Sequence, residues 1–107
     1  MNENIKSNYY AVIPAIVRYD KDLTDKAKLL YGEITCLCNK EGYCFATNNY
    51  FSNLYNCTPR AIQFTLSKLQ EKGYIKIIVE NNYQRKIYLT DALRYEKIFT
   101  PPHENNF

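Results

Sequence analysis

The sequence predicts one mainly α domain closed by a small β-hairpin, an α+β arrangement. Three observations predict it. Apolar residues recur at helical spacing from Ala27 to Cys38. Two shorter helical stretches follow, parted only by "NCT" at 56–58. Then "YIKIIVE" (74–80) and "RKIYLT" (85–90), both rich in β-branched and aromatic residues, flank the turn residues "NNYQ".

Each element has its own signals. Residues 1–8 are polar and are expected to be disordered. "YYAVIPAIV" (9–17) is apolar and interrupted by Pro14, which suits a short strand followed by a turn or a helical turn that starts at the proline. Thr24 is a candidate N-cap with Asp25 in the first turn, so the first long helix is placed at about 25–38. Its apolar stripe is Ala27, Leu30, Tyr31, Ile34 and Leu37–Cys38. "NKEG" ends it, with Gly42 free to take a positive φ, and "YCF" (43–45) is a short β candidate.

Thr47 caps a second helix at about 48–55, which carries Tyr50, Phe51, Leu54 and Tyr55. Thr58 caps a third, and Pro59 takes its first position, where the missing N–H costs nothing. Ile62, Leu66 and Leu69 make the buried stripe of this helix. Gly73 stops it after Lys72. A short helix is expected at 91–98, and 99–107 reads as a tail or a truncated linker, so the domain is set at 9–98.

At 107 residues, 46% apolar and 23% charged, the chain suits one soluble domain with one modest core. No apolar run reaches the roughly 18–20 residues that cross a bilayer. The N-terminus lacks the apolar core of a signal peptide, so a cytoplasmic location is expected and the four cysteines read as thiols. The net charge of +3 is unevenly spread. Residues 1–57 balance to zero. Residues 58–88 set Arg60, Lys68, Lys72, Lys76, Arg85 and Lys86 against Glu71 and Glu80 alone. Such a local excess is a weak footprint of a polyanionic partner.

Enzyme chemistry finds no foothold. Cys36, Cys38, Cys44 and Cys57 follow C-x-C-x5-C-x12-C, which lacks the close pairs of a zinc site. Cys36 and Cys38 stand about 200° apart around a helix. The single histidine, His103, lies in the tail, and none of the three glycines forms a phosphate loop. Asp20 and Asp22 fall in a polar connection. No catalytic residue, metal or cofactor is expected.

Two short helices joined by a three-residue turn form a helix-turn-helix, and a hairpin directly after the second makes it winged. The stretch "ATNNYFSNLYNCTPRAIQFTLSKLQEKGYIKIIVENNYQRKIYL" (46–89) resembles winged helix-turn-helix DNA-binding domains. The earlier "YYAVIPAIVRYDKDLTDKAKLLYGEITCL" (9–37) resembles the lead-in of one subgroup. That subgroup comprises the N-terminal domains of plasmid replication initiators and phage replisome organisers of low-GC Gram-positive bacteria, DnaD-like proteins among them. The resemblance implies double-stranded DNA as partner, with replication proteins as further partners. In that subgroup a further domain usually follows.

An α-helix about 10–12 Å across fits a major groove about 12 Å wide. With Ile62, Leu66 and Leu69 turned to the core, Arg60, Gln63, Phe64, Ser67 and Lys68 face outward. Arg suits guanine, Gln suits adenine and Ser accepts either. Thr58, at the helix N-terminus, can meet a phosphate. Phe64 either packs on a thymine methyl or fills core space beside Leu54. The turn "ENNYQRK" (80–86) is the wing, where Arg85 and Lys86 would touch phosphates or the minor groove, with Asn81, Asn82 and Tyr83 in support. The competing readings are a solvated helix exterior and a plain hairpin. The apolar 9–17 arm covers the core or exchanges with a second copy to build a homodimer. A self-association module that contacts protein, and a transcriptional regulator, are the rival functions.

Overall fold

The computed structural model describes residues 10–38, 42–80 and 84–90. Four helices precede one hairpin: α1 (Ala15–Arg18), α2 (Asp25–Cys38), α3 (Asn48–Tyr55), α4 (Pro59–Glu71), β1 (Ile75–Val79) and β2 (Arg85–Leu89). This is the small α+β winged helix-turn-helix that the sequence predicts. The expected 91–98 helix, both chain ends and the wing residues Asn81, Asn82 and Tyr83 lie outside the described residues.

The helix boundaries follow from cap chemistry. Orphan N–H groups at a helix start need acceptors. Hydroxyls of Thr24, Thr47 and Thr58 accept from the amides of Ala27, Tyr50 and Ala61 at 3.0–3.1 Å. Pro59 occupies the first turn of α4. At the far end Gly73 takes φ +84°, a conformation costly for a side chain, and Gly73 and Tyr74 donate back to Gln70 and Leu69. Only Lys72 moved: it is the C-cap and not a helical residue. Between α3 and α4, Asn56 adopts the left-handed region at φ 56°, and the amides of Asn56 and Cys57 both donate to the Ser52 carbonyl.

The core gathers one face from every helix. Val17, Leu30, Tyr31, Ile34, Phe51, Ile62, Leu66, Leu69, Ile75 and Ile87 are all buried in one cluster. Leu54, whose place in the apolar pattern predicts burial beside Leu30 and Ile34, is instead 42% exposed. An eight-residue helix has barely two turns, and α3 buries Phe51 and Ser52 instead, which rolls Leu54 outward.

The hairpin is antiparallel, with Ile75 opposite Leu89, Ile77 opposite Ile87 and Val79 opposite Arg85. Cys44 adds an isolated bridge to Ile87, its amide and carbonyl both bonded at 2.8 Å. The short β candidate at 43–45 is therefore one bridge residue on the outer edge of β2.

The 10–14 arm forms no strand. It lies on its own chain, with Val12 N–H donating to Thr35 Oγ1 at 2.9 Å and the Cys36 thiol to the Tyr10 carbonyl at 3.0 Å. Gly32 makes room: a Cβ there would stand 3.0 Å from the Ala11 Cβ and 3.1 Å from Ile13. Pro14 precedes α1 as its N-cap residue.

One polar cluster ties the N-terminal half to the end of α4. The Tyr74 hydroxyl donates to Asp20 Oδ2 at 2.5 Å, and Lys72 pairs with Asp20 at 3.2 Å and Asp22 at 3.0 Å. Burial alone would raise the Asp20 pKa, but the Tyr74 hydroxyl, the Asp22 amide and Lys72 together hold it below its ordinary value. The unfolded chain therefore takes up a proton on Asp20 before the folded one does. The contribution is present above the unfolded carboxylate pKa and is lost as pH falls through the folded one. Urea unfolding at a series of pH values is expected to show stability declining below about pH 5, with a shallower decline in Asp20→Asn.

Candidate nucleic-acid interface

α4 is the element best placed to meet a groove. Its inner face, Ile62, Thr65, Leu66 and Leu69, is buried. Arg60, Gln63, Phe64 and Ser67 are exposed, and Lys68 is half-buried at the edge of that face. Phe64 settles one open question. At 76% exposure it stands outside the core and away from any filling role beside Leu54. Arg60, Phe64, Ser67 and Glu71 fall within about 60° of one another around the helix axis. The exposed Glu71 carboxylate ends that row, so the far end of α4 repels phosphates and the amino-terminal half attracts them.

Gln63 is held by a partner that sequence reasoning missed. Asn48 Nδ2, at the start of α3, donates to Gln63 Oε1 at 3.0 Å, and Gln63 Nε2 reaches Ser67 Oγ at 3.4 Å. A carboxamide has two lone pairs on oxygen and two hydrogens on nitrogen. The Asn48–Gln63–Ser67 chain therefore orients Gln63 while leaving one donor and one acceptor for a base edge. The Thr58 hydroxyl oxygen accepts from Ala61 and keeps its own proton to give.

The two wing cations do different things. Successive strand residues point to opposite faces. Arg85 pairs with Val79 on the inward side, and its Nη2 donates to the Ala46 carbonyl at 3.0 Å. Burial pulls its guanidinium down from the ordinary value. It lines a cleft of about 410 Å³ with Ala46, Thr47, Asn48, Asn49 and Gln84, between the start of α3 and the hairpin. Lys86 points the other way, its ammonium 4.8 Å above the Tyr43 ring. Arg85 and Lys86, both expected to touch phosphates or the minor groove, thus lie on opposite faces of the hairpin: Lys86 on the outer one and Arg85 in the cleft.

The charge argument also narrows. Lys72 is engaged by Asp20 and Asp22. Arg60, Lys68, Lys76 and Lys86 are the basic side chains of the 58–88 segment that project without a carboxylate partner among the described residues.

The thiols stand apart from this surface. Cys36, Cys38 and Cys44 are buried and Cys57 half-buried. Burial pushes the Cys38 thiol up to about 12 and that of Cys44 up to about 11. Among the described residues no three His, Cys, Asp or Glu side chains converge as metal ligands, and no helix is long and apolar enough to cross a membrane.

No curated protein and no solved structure matches the chain. One family does: that of helix-turn-helix domains, over residues 21–75, slightly more than half of the chain. The matched stretch runs from just before α2 to the first residue of β1, so it contains the cap of each long helix, the Asn56–Thr58 turn and the whole outward face of α4. With that face, that turn and that match in agreement, the chain belongs to the helix-turn-helix domain family.

Proposed function

We propose that the protein reads double-stranded DNA by laying the amino-terminal half of α4 in the major groove while Lys86 of the hairpin meets the backbone. The observation that carries this reading is the outward Arg60–Gln63–Phe64–Ser67 face on a helix whose opposite side is wholly core. Arg60 would address guanine, Gln63 adenine and Phe64 a thymine methyl. Thr58 would donate to a phosphate at the helix start, and Lys68 would add charge at the groove edge. The reading assigns no catalytic step and no cofactor, and it places the protein in the cytoplasm.

The likeness of residues 9–37 to replication initiators favours a plasmid or phage origin as the target and replication proteins as later partners. A promoter operator would be read by the same side chains. Selection of bound duplexes from a random pool, followed by a salt titration on the winner, tests the reading. One enriched sequence and a log-linear fall of affinity with salt are expected. Two half-sites about one helical turn apart in the winner would mark a homodimer. No enrichment, with binding indifferent to sequence and salt, would replace DNA reading by a protein-contact role.

A further inference from the structure

The hairpin has a second face, of which the duplex reading uses Lys86 alone. By register, Lys76 stands opposite Tyr88 and Ile78 opposite Lys86, on the side turned away from buried Ile75 and Ile87. The segment before α3 extends this side through the Cys44 bridge. The Tyr43 ring lies 5.8 Å from that of Tyr88, and the Phe45 ring 6.4 Å from that of Tyr43. The rings of Tyr43 and Tyr88 and two lysines therefore share one sheet surface, with Phe45 at its edge, where it also packs on the core and lines the Arg85 cleft. Tyr43, Phe45, Ile78 and Tyr88 are half-buried, Lys76 is exposed, and neither strand carries a carboxylate.

The charge and the rings select the occupant together. Lysines without carboxylates attract a polyanion. In duplex DNA the bases are already stacked on one another, so exposed rings gain nothing from them. Unpaired bases do gain, because every base has a π-face to lay on an aromatic side chain. Sheet surfaces that display aromatics beside basic residues hold single strands in this way. The Lys86 ammonium lies above the Tyr43 ring, so a base that stacks there takes its place and frees it to meet the backbone.

We infer that the outer face of the hairpin, built from Tyr43, Phe45, Tyr88, Lys76 and Lys86, binds single-stranded nucleic acid. The lysines take the backbone and the rings take successive bases. The site is separate from the outward face of α4, and the inference does not depend on α4 reading a duplex.

The test is fluorescence anisotropy of the full chain with a labelled oligothymidylate, which cannot pair with itself, and with a labelled duplex. Lys76→Glu changes an exposed side chain and leaves the core alone. Tyr88→Leu keeps apolar bulk and removes one ring. Each is expected to weaken oligothymidylate binding about fivefold or more and to leave duplex binding within about twofold of the parent. Arg60→Ala is expected to do the reverse. A thermal melt on Tyr88→Leu separates loss of a ring from loss of the fold, and Lys76→Glu stands if that variant melts early. Oligothymidylate affinity unchanged in Lys76→Glu would overturn the inference, as would no measurable binding by the parent. Polyglutamate competing as well as oligothymidylate would also overturn it, in favour of an acidic protein segment on the same face. Loss of duplex binding in Arg60→Ala alone bears only on the α4 reading.

Discussion

Replacing Leu66 with alanine is expected to lower the unfolding free energy by about 2–5 kcal/mol. Leu66 is fully buried, at the centre of the α4 stripe between Ile62 and Leu69. The substitution removes the transfer energy of the lost methyl and methylene groups and leaves a cavity that close-packed neighbours fill only in part. A domain of this size holds roughly 5–15 kcal/mol in all, so the loss is a large share of it. Each kcal/mol shifts Tm by roughly 4–8 °C in small domains, which puts the expected fall near 10 °C or beyond. Urea unfolding and a thermal melt both measure it. A change under about half a kcal/mol, the size typical of surface substitutions, would mean that α4 turns another face inward and that its outward residues have been misassigned.

On DNA the largest effects are expected from Arg60→Ala and Gln63→Ala. Each should lose about 1–3 kcal/mol on the preferred duplex and relax discrimination at one base pair. The reason is directional: a guanidinium or carboxamide matches one base edge bidentately, and alanine matches none. Lys86→Ala should weaken every duplex alike and reduce the salt slope by about one unit, because a phosphate contact carries no sequence. All three residues lie outside the buried core, so their melting curves should follow the parent. Binding isotherms on a preferred and a scrambled duplex at several salt concentrations separate the two classes. Parent-like binding of both duplexes by Arg60→Ala and Gln63→Ala would remove α4 as the reader and leave the protein-contact reading in its place.

Most of the fold was legible because its signals are local. A cap and the amides it serves are three residues apart, as in Thr58 and Ala61, and Gly73 sits directly after the helix it ends. The long stripe of α2 fixes its own phase over fourteen residues. In α3 eight residues could not do so, and Leu54 was placed on the wrong side. What joined distant positions was not legible. Lys72 meets Asp22 across 50 residues and Asn48 meets Gln63 across 15, with no pattern in the chain to announce either pair. The separation of Arg85 from Lys86 onto two faces is of a different kind. Strand alternation carries that signal, and two adjacent cations on a strand already imply two faces. Of the candidate site, the outward row on α4 was readable from one buried stripe. The clasp on Gln63 and the turning inward of Arg85 needed the tertiary structure.

The turn between α3 and α4 sets where this protein can change length. Asn56 closes one helix with a left-handed backbone, Cys57 shares its acceptor on Ser52, and Thr58 opens the next helix. Each of the three residues has a separate duty, and none is spare. An inserted or deleted residue would have to displace a cap or a closing amide, and would slide α4 along its own groove in the core. Relatives that differ in length are therefore expected to carry their insertions at the tip of the hairpin or between α2 and α3. A tag, a fluorophore loop or a grafted peptide placed at 56–58 would be paid for by the whole fold.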